Sequence, residues 1–126
     1  MNTTLITICG NCADAPELRF TPDGKATARM RVAVSERYPN TAGTWVEGPT
    51  SRHTVLAWGR LAEHAVDSIS KGDRVMVHGR LAQRAYTTEA GEQRTVWELT
   101  AEDIGMSLRH ISASPRKPGA PVSTQG

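Results

Sequence analysis

Residues 53–81 read HTVLAWGRLAEHAVDSISKGDRVMVHGRL, and the period of their hydrophobic pattern changes twice. Residues 53–58 are a short β-branched and apolar run that stops at Gly59, which is typical of a strand. Apolar residues then recur at helical spacing, at Leu61, Ala62, Ala65, Val66 and Ile69. Alternation with a period of two returns in residues 74–86. The stretch therefore predicts a strand, a short helix that ends with Lys71 in its last turn and Gly72 as its cap, and a second strand.

Two further strands are predicted before this stretch. Residues 4–9 are rich in β-branched side chains and end at Gly10, where a strand could bend. After a turn at residues 21–24, residues 27–34 alternate, with apolar side chains on one face and Arg29 and Arg31 on the other. Residues 37–50 contain two prolines and two glycines and are predicted to form a long exposed loop.

The order of elements after residue 74 completes a fold prediction. Residues 88–92 indicate a hairpin tip, and residues 95–104 return as a fifth strand. Three strands, a short helix and a two-stranded hairpin together predict an all-β five-stranded OB-fold barrel, with the helix between strands three and four. Residues 1–111 would form this domain, and residues 112–126, rich in Pro, Ser and Gly, a short disordered basic tail.

Composition narrows the class of protein but does not identify a partner. The 126 residues are 38% hydrophobic and 22% charged, with no run of apolar residues long enough to span a membrane and no pattern of a signal peptide. We therefore expect a soluble, cytoplasmic, non-membrane domain. The net charge is +2, and both excess charges, Arg116 and Lys117, lie in the predicted tail. Any argument for a nucleic-acid partner must rest on where the charges lie.

The outward faces of strands two to four combine cations with aromatic rings. They carry Arg29, Arg31, Arg52, Trp58, Arg74, Arg80, Arg84 and Tyr86, and strand two leads into Arg37 and Tyr38. Single-stranded nucleic acids bind to such surfaces, because cations hold the phosphates and flat rings stack on unpaired bases. Trp45, in the predicted loop, has little core to join and is a further binding candidate. Each residue has an alternative interpretation: the arginines as an ordinary solvated face, Trp58 as a plug of one barrel end, and the tyrosines as rim residues.

Catalysis has little support in the sequence. The four histidines lack the paired spacing of zinc proteases, and neither a nucleophile elbow nor a phosphate-binding Gly-rich loop is present. The sequence therefore predicts no catalytic residue, no metal and no cofactor. Trp97 shares strand parity with Leu99 and is predicted to pack in the core.

Cys9 and Cys12 have C-x-x-C spacing on or just after the first strand. Residues three apart on a strand face opposite sides, so a disulfide between them is geometrically awkward. Free buried thiols are one interpretation, and a disulfide to a second subunit is the other.

The chain resembles bacterial single-stranded DNA-binding proteins over nearly all of residues 4–110. The resemblance is carried by residues 8–11, 15–24, 34–36, 53–63, 71–75 and 77–81. It implies an OB-fold homotetramer that binds single-stranded DNA without sequence preference in replication, repair and recombination, with no cofactor. It also implies base stacking at Tyr38, Trp58 and Tyr86, with Arg52 where the family often has an aromatic residue. The phosphate contacts it implies are Arg19, Arg29, Arg31, Arg60, Lys71, Arg74, Arg80 and Arg84.

The end of the chain departs from the family pattern. Family members usually carry a long tail with acidic residues and a terminal Pro-Phe that recruits other proteins, whereas residues 112–126 are basic and end in STQG. We therefore expect a specialised paralogue without tail-dependent partners. The alternatives are an OB-fold replication-restart accessory protein that acts mainly through protein contacts, and a small nuclease built on the same barrel.

Overall fold

A computed structural model describes residues 2–116 of the chain. The elements are β1 (Leu5–Phe20), β2 (Ala26–Pro39), β3 (Trp45–Trp58), α1 (Arg60–Ser68), β4 (Arg74–Thr87) and β5 (Gln93–Met106). The strands close into a barrel in the order β1-β2-β3-β5-β4, with β4 pairing back onto β1. All neighbours are antiparallel except β3 and β5, which meet in a short parallel ladder. A closed five-stranded barrel with one helix between β3 and β4 is the OB-fold, as the sequence predicted.

The barrel interior is filled by the apolar members of the alternating strands. Its most completely buried side chains are Cys12, Val32, Val55, Val75, Val77 and Leu99. Helix α1 contributes Ala62 and Ala65, which are buried because they lie on the stripe that faces the sheet. The predicted inward faces of residues 28–34 and 75–81 are thus confirmed, and the intervening arginines point to the outside.

Two glycines allow strands to approach more closely than any side chain would permit. A Cβ at Gly79 would collide with the carbonyl oxygen of Thr100, and one at Gly10 would collide with that of Ala33. Both neighbours are backbone atoms, which cannot move without disturbing the ladder. Gly10 therefore lies within β1 rather than at its end, and the predicted end of the strand there is wrong. β1 continues to Phe20 through two irregularities in its register with β2.

The predicted loop at residues 37–50 is also wrong, because most of it forms a β-hairpin. β2 continues to Pro39 and β3 begins at Trp45. The turn between them is closed by Asn40, whose Oδ1 accepts hydrogen bonds from the backbone N–H groups of Ala42 and Thr44, both at 3.0 Å. The register of β2 and β3 shifts between Ser35 and Arg37, opposite Gly48 and Pro49 of β3. Prolines fit at such irregularities, where no ladder donor is required.

Helix α1 ends earlier than the sequence indicates. Its last residue is Ser68, and Ile69 has extended backbone while its N–H donates to the carbonyl of Ala65. Lys71 therefore lies outside the helix, in the turn before β4, and the predicted cation in the last turn is wrong. This turn is held by Asp73, whose Oδ2 accepts a hydrogen bond from the Ser70 N–H at 2.8 Å.

Residues 107–116 follow β5 without regular structure and border a groove against α1. The remaining part of the predicted tail, residues 117–126, lies outside the described residues, so the predicted disorder is untested there. In the described part of the chain, no helix has the length and apolar character needed to cross a membrane.

Candidate nucleic-acid interface

The outward surface of β2, β3, β5 and β4 is continuous, and the strand register describes it row by row. Arg29 pairs with Leu56, and Leu56 pairs with Thr100 of β5. Thr100 in turn pairs with Arg80, so that a single row crosses four strands. Guanidinium groups therefore lie at both ends of a row whose centre carries an apolar and a hydroxyl side chain.

The rows nearer the hairpins carry three more arginines. Arg31 pairs with Thr54, and Thr54 pairs with Glu98. Arg52 lies one row further along β3. Arg84 lies diagonally across from Glu98, with 3.8 Å between its Nη1 and the Oε1 of the carboxylate. We call the exposed set Arg29, Arg31, Arg52, Arg80 and Arg84 the arginine wall.

Trp58 ends the arginine wall on β3 and is 46% exposed. It pairs with Thr27, which pairs with Arg19 of β1, so these three residues form another row. Its ring borders an open cleft of about 520 Å³ that is also lined by Arg60, the first residue of α1, and by Lys25. The interpretation of Trp58 as a buried plug is therefore wrong. The sequence pattern did not identify Lys25, because this residue follows a turn and is not part of an alternating strand. The fold brings it close to Trp58 and Arg60.

Tyr86 continues this outward surface onto the hairpin of β4 and β5. It is 44% exposed, pairs with Arg94, and lies two residues beyond Arg84 on the same strand face. A ring and a guanidinium group are thus presented side by side on β4, at the end of the surface opposite Trp58.

The other two aromatic candidates lie on the hairpin of β2 and β3. Tyr38 is 50% exposed and Trp45 is 61% exposed. Strand alternation places Tyr38 on the face opposite Arg37, and a Cβ at Gly48 would lie only 3.0 Å from the Cε1 of the Tyr38 ring. Trp45 pairs with Pro39 at the tip of this hairpin rather than lying in a loop. Paired residues share a face, so Trp45 lies on the Arg37 face of the hairpin, which continues the face of Arg29 and Arg31 along β2. Tyr38 lies on the other face, away from Trp58.

Lys71 and Arg74 lie near the start of β4. Arg74 pairs with Asn11 of β1 and is partly buried, and its buried Nε has no hydrogen-bond partner among the described residues. Lys71 is exposed and close enough to Asp14 to affect its ionisation. Of the two, Lys71 is better placed to contact a phosphate.

The carboxylate of Asp14, on β1, lies close to two arginines of the wall and to Lys71. Its Oδ2 accepts a hydrogen bond from the Arg31 Nε at 2.5 Å. This bond, together with the nearby charges of Arg31, Lys71 and Arg52, holds the pKa of the Asp14 carboxyl below its ordinary value. Three cations thus gather around one carboxylate that stays ionised at neutral pH.

Trp97 does not pack in the core as its strand parity indicated. It is 55% exposed, because β5 runs past the end of the barrel before it reaches Leu99, which is fully buried. Trp97 pairs with Gln83, on the hairpin face opposite Arg84. Parity alone predicts burial only where a core exists on that side of the strand.

The two cysteines lie on opposite sides of β1, as strand alternation predicts. Cys12 is 1% exposed, and its thiol donates a hydrogen bond to the carbonyl oxygen of Asp14 at 2.9 Å. Burial, reinforced by the charges of Asp73 and Asp14, raises the pKa of the Cys12 thiol. Burial favours the interpretation of Cys12 as a free thiol. A disulfide to another subunit stays a prediction, and Cys9, partly exposed opposite Met76, is the more accessible of the two thiols.

The histidines do not gather into a metal site. Within residues 2–116, no three His, Cys, Asp or Glu side chains are arranged to hold a metal ion. His78 instead shares a hydrogen bond with Thr7 on the next strand, with 2.8 Å between Nδ1 and Oγ1.

A barrel of this topology with cations and exposed rings on its outer wall is the form in which OB-folds present an oligonucleotide-binding surface. Comparison with known proteins assigns the family. The profile of the Single-strand binding protein family matches residues 2–107. The chain belongs to this family.

Relatives with assigned names are similar over most of the chain. Single-stranded DNA-binding protein 2 of Streptomyces coelicolor is 43% identical over 115 residues, which cover 90% of this chain and 58% of that protein. The single-stranded DNA-binding protein of Mycobacterium bovis is 44% identical over 115 residues, covering 90% of this chain and 70% of that protein. This chain spans 51% to 65% of the length of three such relatives.

A solved structure is similar in fold. The crystal structure of the small single-stranded DNA-binding protein from Streptomyces coelicolor superposes with a TM-score of 0.74 at 38% sequence identity. The superposition covers 86% of this chain and 97% of that chain.

Proposed function

We propose that this protein binds single-stranded DNA without sequence preference and protects it. Bases stack on Trp58 and Tyr86, and the arginine wall contacts the phosphates between them. Trp45 extends the contact onto the β2–β3 hairpin, whereas base stacking on Tyr38, on the other face of that hairpin, stays a prediction. Arg19, Arg37, Arg60, Lys71 and Arg74 supply further cations along the path.

The observation that carries this proposal is the row structure of the outer wall. Arg29 and Arg80 end one row, and Trp58 lies one row away from Arg29 on the same surface. Stacking on a ring tolerates every base, and guanidinium groups recognise phosphate whatever the sequence. The name and similarity of the relatives support the same ligand.

The cellular role and assembly follow the family pattern. We expect action at the nucleoid in the cytoplasm, in replication, repair and recombination or in a more specialised processing of DNA. A homotetramer is expected, without cofactor or catalysis. Self-association is supported at the end of the β1–β4 pair that lies away from Arg80, where Met76 is 48% exposed opposite Cys9. Light scattering of the purified chain measures the assembly directly, and a monomeric mass would contradict it.

The central test is a titration of tryptophan fluorescence with oligo-dT at several salt concentrations. Quenching should saturate, and log affinity should fall with log salt at a slope of about −0.7 per phosphate neutralised. A duplex of equal length is the control and should bind far more weakly, because its bases are not free to stack. Equal binding of duplex and single strand, or no binding, would refute the proposal. Loss of oligonucleotide length on incubation with Mg²⁺ would favour a nuclease instead.

A further inference from the structure

Three of the arginines in the proposed DNA path are each paired with a carboxylate of the same chain. The Arg31 Nε lies 2.5 Å from Asp14, the Arg19 Nη2 lies 3.4 Å from Glu17, and the Arg84 Nη1 lies 3.8 Å from Glu98. We call Asp14, Glu17 and Glu98 the paired carboxylates. They lie on β1 and β5, and each forms an ion pair with an arginine that we propose contacts a DNA phosphate.

A carboxylate and a phosphate compete for the same guanidinium donors. Arginine has five N–H donors in a fixed fork, and both anions bind it through two oxygens. At Arg31 the Nε edge is already taken by Asp14, so an incoming phosphate either displaces the carboxylate or uses the remaining Nη edge. In the second case two anions lie close together, and their repulsion weakens the contact.

Among the paired carboxylates, Asp14 is best placed to compete with a phosphate for guanidinium donors. Arg31, Lys71 and Arg52 all act on its charge, so one carboxylate reduces the positive potential of three cations at once. Both partners of its ion pair are half-exposed, with 51% of each side chain accessible, so a DNA phosphate can reach the pair. The pair therefore lies where a ligand would meet it.

Glu98 differs from the other two because only 14% of its side chain is exposed, against 68% for Arg84. When a phosphate draws Arg84 away, the Glu98 carboxylate is left partly buried without its partner. Loss of that partner is costly for a group with little access to water.

We propose that the paired carboxylates are intramolecular competitors of DNA phosphate, which hold the affinity and lifetime of the complex below what the arginines alone would give. The inference rests on the proposed binding of single-stranded DNA. Some of the negative charges that balance the arginines of this chain therefore lie beside the proposed DNA-binding arginines, and not only on remote surfaces. A protein that must be removed from DNA gains a faster release from such competition.

The test compares Asp14→Asn with Asp67→Asn on the full chain, using oligo-dT and measuring both the dissociation constant and the dissociation rate. The asparagine retains the shape of Asp14 and a hydrogen-bond acceptor for Arg31. Asp67 is an exposed residue of α1 outside the DNA path, so its variant makes the same change in net charge at a remote position. Circular dichroism and the melting temperature check that both variants are folded.

The D14N variant should bind about 1.5- to 5-fold more tightly at about 0.05 M salt, the range expected from an exposed ion pair. Most of the gain should appear as slower dissociation, and it should shrink as salt is raised toward 1 M, where the Debye length is only about 3 Å. Glu17→Gln, at a more exposed pair, should act in the same direction and provides a second variant if D14N is unstable.

Two results would overturn the inference while leaving the proposed function intact. One is a D14N variant that binds no more tightly than D67N, which would reduce the effect to net charge. The other is weaker binding by D14N, which would make Asp14 a positioning residue that orients Arg31. If the unmodified chain does not bind oligo-dT, the proposed function itself fails, which is a distinct outcome.

Discussion

Replacement of Trp58 by alanine is the most direct perturbation of the proposed DNA contact. A tryptophan side chain has about 250 Å² of surface at most, so 46% exposure leaves roughly 100 Å² for a ligand. One stacked base covers about half of that area, which at about 25 cal/mol per Å² corresponds to about 1.3 kcal/mol. This value lies within the range of about 1–3 kcal/mol that stacking contributes per base. The dissociation constant for oligo-dT should therefore rise about tenfold.

The assay is a titration with short oligo-dT, followed by anisotropy of a dye on the DNA so that loss of the indole does not affect the signal. Trp97→Ala is the matched control. Trp97 is 55% exposed, comparable with Trp58, but lies on the hairpin face opposite Arg84. We expect W97A to bind oligo-dT as the unmodified protein does. Such a result would show that binding depends on where the tryptophan lies, and not merely on the presence of an exposed indole ring.

Two outcomes would refute this reasoning about Trp58. A folded W58A variant with an unchanged dissociation constant would show that no base stacks there. Equal weakening by W97A and W58A would show that the hairpin face carrying Trp97 also contacts DNA, so that the outer wall alone is not the path. Melting temperatures of both variants distinguish loss of binding from loss of fold.

Three further predictions concern the barrel itself. Gly79→Ala should lower the free energy of unfolding, measured in a denaturant titration, by about 1–3 kcal/mol or more, because its Cβ would collide with backbone. Gly105→Ala is the control and should be nearly neutral, because the space around its Cβ is open. The ion pair with Arg31 depresses the folded-state pKa of Asp14, so its stabilisation should be complete above about pH 5 and fade as pH falls below about 4. This acid-dependent loss of melting temperature should be smaller in D14N, and an identical pH profile would contradict it. Cys12 should react with a thiol reagent only in denaturant, as peptide mass spectrometry can show; labelling of the native protein there would refute its burial.

Strand alternation predicted the parts of the barrel that have a core on one side and solvent on the other. Residues 28–34 and 75–81 face these two environments: Met30, Val32, Val75 and Val77 are inside the barrel, whereas Met76 is on the outer face. The same signal disappears in residues 37–50, because the hairpin they form is exposed on both faces and no residue there needs to be apolar. Gly48 and Pro49 then resemble a loop, although they mark an irregularity within paired strands.

The sequence predicted which residues belong to the candidate site better than it predicted which of them lie close together. Sequence alternation identified Arg29 and Arg31 as outward, but the proximity of Arg31, Arg52 and Lys71 to Asp14 depends on contacts between distant segments. No local pattern encodes such contacts. The positions of Asp14, Glu17 and Glu98 beside arginines therefore follow from the fold and not from the sequence pattern.

The hairpins explain why aromatic residues were the hardest to place. Trp45 and Trp97 both lie on strand extensions beyond the barrel, where neither face offers a core and a ring stays exposed. A ring in such a position contributes little apolar burial to the stability of the monomer. Its presence must then reflect either contact with another molecule or simple tolerance of an exposed side chain. Ligand binding separates the two, because a ring that contacts DNA or a second subunit becomes protected from solvent quenchers in the complex, whereas a tolerated one stays equally accessible.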